Sequence, residues 1–227
     1  MPHQFVRRII LTCTALVCVI GCITDLVLLY TFGKQIPGYS QLTNSISSLG
    51  VTASPVSEAV MLWSVALGII FIVFGFGFRE IFKNHGRVTQ HIFWLILIYG
   101  IGEGIASGVF KDDYINGALT KIAIVHDLLG GVGVVALLLL PLSVMKIFTY
   151  ELSPGIFRLS QIVLAVGLIS TILFSFRIDY FENTFLNTYS GIWQRTFLVN
   201  YYVYFTSIAF QMVKENNSKQ IRKDSTA

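Results

Sequence analysis

Of 227 residues, 54% are apolar and only 12% are Asp, Glu, Lys or Arg, giving a mean hydropathy of +0.71 and a formal net charge of +4. A soluble domain carries about a quarter charged residues, so this balance excludes an ordinary soluble enzyme, and no nucleic-acid motif accompanies the positive charge. The cysteines, Cys13, Cys18 and Cys22, all fall in the first apolar run, which excludes a disulfide framework between loops.

A helix crosses the hydrocarbon core with roughly 20 apolar residues. Six segments qualify, about 9–32, 55–78, 91–109, 120–142, 159–176 and 191–212. The expected fold is therefore all-α, a polytopic six-transmembrane-helix bundle forming one domain over 1–213, followed by a basic cytoplasmic tail at 214–227. In the first segment Cys18, Cys22 and Asp25 share a face by helical spacing. A carboxylate at that depth is costly and is expected to face the bundle interior.

The polar stretch from Gly38 to Glu58 follows. Leu42, Ile46 and Leu49 recur at i, i+4, i+7, with Gln41, Asn44, Ser45 and Ser48 opposite. This pattern predicts a short amphipathic helix on the bilayer surface, capped by Ser40 and ended by Gly50. Ser54-Pro55 predicts the start of the second helix, and Glu58 in its first turn suits the helix dipole.

In the third segment Gly100, Gly104 and Gly108 form small-xxx-small steps that admit a neighbouring backbone, with Glu103 and Ser107 beside them. A short charged loop, Lys111 to Asn116, leads to Lys121, His126 and Asp127 in the fourth segment; Gly130, Gly131 and Gly133 lie one turn deeper and suit packing. Pro141 is expected to end or kink this helix, and Ser153-Pro154-Gly155 to form the next turn. The fifth segment offers Ser170, Thr171 and Ser175, residues prone to bond their own backbone. Tyr180, Phe181 and Tyr189 suit an interfacial aromatic belt, and Ser190-Gly191 opens the sixth segment, with Gln194 and Arg195 in its first two turns.

Of the 16 Lys and Arg residues, only Lys34, Lys111, Lys121, Arg177 and Arg195 fall on the side facing the Gly38–Glu58 stretch. The positive-inside bias places both termini in the cytoplasm, and the expected location is a prokaryotic plasma (inner) membrane.

Tyr39-Ser40-x-Leu42-x-Asn44-x-Ile46-Ser47-x-Leu49-Gly50, then Ser54-Pro55, His126 and Gly191-Ile192-Trp193-Gln194-Arg195 together resemble the small prokaryotic membrane proteins grouped as domain of unknown function 998. The resemblance spans nearly the whole chain and implies a six-helix bundle without implying an activity. This sequence departs from the pattern in having Ala53 before Ser54-Pro55, Gln194 where an acid often precedes the arginine, and Lys111-Asp112 where a proline is usual.

At 1.5 Å per residue, Asp25, Glu103 and Asp127 lie roughly 9 to 10 Å below the outer ends of their helices, and Arg195 about 6 Å below its own. Ionisable groups in one intramembrane layer are functional candidates. The expected site is an outward-facing polar pocket of Asp25, Tyr39, Asn44, Ser47, Glu103, His126, Asp127, Gln194 and Arg195. Three functions fit it. The first is binding or transport of a small molecule, a cation or proton, or a lipid head group, with Arg195 holding an anionic group. The second is a hydrolase or transferase at the outer leaflet, with His126, Asp127 and Glu103 as catalytic candidates and one of Ser40, Ser45, Ser47, Ser48 or Ser54 as nucleophile. The third is a scaffold whose glycine faces bind another subunit. A structural charge network is the alternative to all three. Glu103, His126 and Asp127 are the metal candidates; His3, His85 and His91 fall on the cytoplasmic side, which excludes a three-histidine zinc site. The sequence names no cofactor and no oligomeric state; the expected partners are membrane lipids.

Overall fold

The computed structural model describes residues 2–175 and 185–224. Arg177, Tyr180 and Phe181 lie outside the described residues. Six long helices follow in order: α1 (Pro2–Lys34), α2 (Ser57–Ile81), α3 (Arg87–Val109), α4 (Lys121–Val144), α5 (Pro154–Ser175) and α6 (Ser190–Asp224). Five of them, α1 to α5, are long and apolar enough to cross a membrane. The sixth spans 35 residues and carries more polar side chains.

Each long helix packs on its neighbour in sequence, and α6 closes the ring against α1. The ring encloses an aromatic core in which Phe71, Phe74, Phe78, Tyr204 and Phe205 are almost fully buried. Phe71 and Phe205 have ring centroids 4.7 Å apart, and Phe82 meets Phe148 edge-on at 5.4 Å. The outward faces carry bare apolar side chains, among them Ile20, Val27, Ile69, Phe76, Leu128, Val132 and Ile169. A soluble monomer does not present such continuous apolar flanks; together with the helix lengths they identify a multi-pass integral membrane protein.

Glycines set the tightest approaches. A Cβ on Gly104 would lie 2.6 Å from the Gly68 Cα, and one on Gly68 would lie 2.5 Å from the Gly100 carbonyl oxygen. The stripe Gly100, Gly104, Gly108 is thus consumed inside the chain, against Ser64 and Gly68 of α2, which removes it as a docking face for another subunit. On the far side of α3, Gly130 and Gly133 of α4 lie against Glu103. Between these contacts α3 widens into a π-helical segment, Gly100–Ala106.

Three local expectations change. First, the stretch from Tyr39 to Leu49 contains turns and only a three-residue 3-10 helix, Ser47–Leu49, in place of an amphipathic helix. Leu42, expected on its apolar face, is exposed while Leu49 is fully buried. Secondly, Pro141 sits inside α4, which continues to Val144 before Met145 closes it by donating to the Pro141 carbonyl. Thirdly, Ser153-Pro154 begins α5, with proline in the first helical position, where a missing N–H costs nothing. The second helix is assigned from Ser57, yet Ser54 Oγ still accepts from the Val56 N–H in the manner of a cap.

The α3–α4 connection holds a hairpin, Tyr114–Ile115 paired with Ala118–Leu119. Asn116 and Gly117 at its tip have φ of 51° and 79°, the two left-handed residues of a primed turn.

Candidate functional site

The nine residues expected in one pocket separate into two groups. Asp25, Ser47, Glu103, His126, Asp127 and Gln194 line a cavity of about 540 Å³ at the end of the ring that carries the 39–49 segment. Tyr39, Asn44 and Arg195 do not line it. They form a polar knot that fastens the 39–46 segment to the start of α6.

Arg195 is the centre of that knot. Its Nε donates to Gln41 Oε1 at 2.8 Å, Nη1 to the Asn44 carbonyl at 2.8 Å and to the Gly191 carbonyl at 3.1 Å, and Nη2 to the Tyr39 hydroxyl at 2.6 Å. The guanidinium also sits 5.8 Å from the Tyr39 ring centroid. Burial raises the Tyr39 phenol pKa against the opposing pull of Arg195; the phenol therefore stays protonated at neutral pH, as its bond to the Ser45 carbonyl at 3.0 Å requires.

The α6 N-terminus completes the attachment. The Ile192 N–H and the Ser190 hydroxyl donate to the Leu42 and Thr43 carbonyls, and a Cβ on Gly191 would lie 2.5 Å from the Asn44 carbonyl oxygen. Gln194 Oε1 accepts from the Ile46 N–H at 2.6 Å. The Gly191 to Arg195 motif is accordingly a receiver for the backbone of residues 41–46, and Arg195 is committed to holding it.

Below the knot, Asp25 of α1 accepts from Trp63 Nε1 of α2 and from the Tyr202 hydroxyl of α6, each at 2.7 Å. This one carboxylate ties three helices. Glu103 projects from the π-helical segment toward α4, where Gly130 leaves it room; a Cβ there would lie 2.8 Å from Glu103 Oε2. π-helical turns shift the side chains beyond them and recur at functional sites.

His126 is held at both ring nitrogens. Nδ1 lies 2.8 Å from the Phe110 carbonyl oxygen and 3.1 Å from that of Ser107, while Nε2 lies 3.2 Å from Ser47 Oγ. Carbonyl oxygens only accept, so Nδ1 carries the proton, and Nε2 is left as an acceptor for the Ser47 hydroxyl.

Of the metal candidates expected from sequence, His126 and Asp127 also fall in a closer group with Asp112. Among the described residues the candidate group is Asp112, His126 and Asp127, with ligand atoms within 4.8 Å of one another. Asp112, in the α3–α4 connection, is buried. Coordination through His126 would require one ring nitrogen to give up its present bond.

The rest of the cavity wall is largely apolar, with Leu67, Phe71, Val134, Phe197 and Leu198. Ser170, Thr171 and Ser175 of α5 add hydroxyls. Thr171 Oγ1 is buried and meets no partner among the described residues. Gly131, Val135 and Ser175, on the α4 and α5 walls, line the cavity and are also exposed.

Trp63 was not singled out from sequence, and Gln41 and Asp112 were named only as part of the polar side of the 39–49 stretch and as a departure from the family pattern. A tryptophan inside an apolar helix was the available signal for Trp63, since its N–H needs an acceptor when buried. Gln41 and Asp112 gave none beyond polarity.

No curated protein and no solved structure matches this chain. A family model described as "Protein of unknown function (DUF998)" matches residues 19–211. With that span covering most of the ring and both halves of the site, the chain belongs to the DUF998 family of membrane proteins.

Proposed function

We propose that this protein binds an amphipathic small molecule or membrane lipid in the outer-half cavity, with a cationic or hydrogen-bond-donating head group facing Glu103 and Asp127. All six long helices cross the membrane in this reading. The helix ends bearing Arg7, Arg8 and Lys214 face the cytoplasm of a plasma membrane, and residues 1–213 act as one domain ahead of a basic tail. An anionic head group is not part of the reading, because Arg195 already donates to Gln41 Oε1, the Asn44 carbonyl and the Tyr39 hydroxyl.

The observation that carries the proposal is the cavity itself: about 540 Å³, within the range of small-molecule sites, apolar over most of its wall and polar at one layer. Its exposed lining residues on α4 and α5 suit entry from the bilayer. Thr171 Oγ1 supplies a further polar contact for a ligand, since a buried hydroxyl without a partner is costly.

Gly131 gives the test. A Cβ there meets nothing within 4 Å, although the residue lines the cavity. Gly131→Phe should fill part of the cavity while leaving thermal stability within about 0.5 kcal/mol. Native mass spectrometry of wild type in mild detergent should show retained lipid, reduced in Gly131→Phe. Equal lipid retention in the two, or none in wild type after gentle extraction, would overturn the reading.

A further inference from the structure

We infer that Ser47 and His126 form a nucleophile–base pair acting on an acyl ester carried by a lipid-like molecule in this cavity. The substrate class rests on the binding reading above; the reactivity of Ser47 does not.

Five serines in the 40–54 stretch were equivalent by sequence. The structure separates Ser47 from four of them. Ser45 Oγ accepts from the Ser48 N–H, the Ser48 hydroxyl donates to the Ser45 carbonyl, and Ser40 and Ser54 oxygens accept from backbone N–H groups of their own turns. Ser47 alone of the five reaches a histidine, at 3.2 Å, and it lines the cavity with that histidine. Apo nucleophile–base pairs are commonly this long.

The imidazole is also oriented as a base needs. The Phe110 and Ser107 carbonyls hold Nδ1 as the donor, the role a third group plays in a hydrolytic triad. They fix the tautomer and the ring orientation. Gln194, which lines the same cavity, uses Oε1 for the Ile46 N–H, so its amide N–H groups are the donors it can offer to an oxyanion there.

In the reaction, Ser47 Oγ bonds to the ester carbonyl carbon as its proton passes to His126 Nε2. Collapse of the tetrahedral adduct breaks the carbon–oxygen bond to the alcohol, which leaves with that proton. Water then attacks the acyl-serine, giving its proton to Nε2, and the acid departs as Ser47 is restored. The sum is ester plus water to acid plus alcohol.

The test is covalent labelling of the full chain in membranes by a lipophilic alkyl fluorophosphonate, read by intact mass and by peptide mapping. The expected result is one adduct at Ser47, none in Ser47→Ala, unchanged labelling in Ser48→Ala, and labelling slowed about 100-fold in His126→Asn. Asparagine retains a donor for the Phe110 carbonyl, and thermal stability of each variant confirms folding. No adduct on folded wild type at excess probe, or an adduct at another serine, would overturn the inference. An unlabelled protein that still retains lipid leaves the binding reading standing; labelled Ser47 without retained lipid supports the pair and removes the binding reading.

Discussion

The two halves of the helix ring are stabilised by different means. In the half nearer the chain termini, the inner half, Phe74, Phe78, Phe82, Phe148 and Phe205 interlock with almost no exposure. In the outer half, a cavity stands where such side chains would be, and its surroundings are tied by polar bonds from Arg195, Asp25 and His126. Dispersion and area burial give the inner half stability without specificity for any ligand. Directional bonds let the outer half hold its walls apart. The comparison implies that inner-half changes alter global stability, whereas outer-half changes alter local order and ligand retention.

The largest effect expected is at the inner half. Phe74→Ala removes a fully buried ring that meets Phe205 at 5.7 Å and should cost about 3 to 5 kcal/mol of global stability, read from reversible unfolding in detergent. Arg195→Ala should cost about 2 to 3 kcal/mol, because it strands buried carbonyls. Its mark should be local: faster hydrogen exchange over residues 39–46 with little change in the aromatic core. Arg195→Lys should resemble it, since an ammonium cannot reproduce the fork to Gln41, Tyr39 and Asn44. An Arg195→Ala variant that unfolds the whole ring without local loosening would break the comparison.

Gly68→Val tests the seam joining the halves. Its side chain would press on the Gly100 carbonyl, and overpacking of this kind costs about 1 to 3 kcal/mol, measured by the same unfolding assay. The smallest effect expected is at the outer rim. Thr52 donates to Asp113 through its hydroxyl and its N–H, which lowers the Asp113 pKa from the ordinary carboxylate value. A depressed folded-state pKa contributes stability above the unfolded value, about pH 4, and that contribution disappears as pH falls through the folded pKa. Asp113 is partly exposed and its bonds to Thr52 face solvent, so screening should keep the change below about 1 kcal/mol. Thermal midpoints of wild type and Asp113→Asn should converge on acidification.

The same contrast explains what the sequence made legible. Helices α1 to α5 follow from runs of apolar residues long enough for the bilayer, and the glycine steps of α3 correctly required close backbones. Asp25, Glu103, His126 and Asp127, grouped from sequence by converting helix position into depth, line one cavity. The 39–49 segment was not legible as a turn-rich loop, because what fixes it lies about 150 positions away in sequence, at Gln194 and Arg195. Its i, i+4, i+7 pattern matches a helix only if its backbone bonds are local, and α6 takes those bonds instead. Arg195, expected at a ligand, bonds Gln41, Asn44 and Tyr39 of that same segment. The Asn116-Gly117 hairpin lies in what the sequence suggested only as a short charged loop, and the π-helical segment of α3 has no sequence mark beyond its glycines.

The most direct test of the ligand cavity is photocrosslinking with a lipid bearing a diazirine on its acyl chain, in native membranes, with adducts mapped by mass spectrometry. Adducts on cavity residues such as Leu67, Val134 and Phe197, suppressed in Gly131→Phe, are the expected result. Adducts confined to outward faces such as Ile20, Leu128 and Phe210, unchanged in that variant, would contradict it.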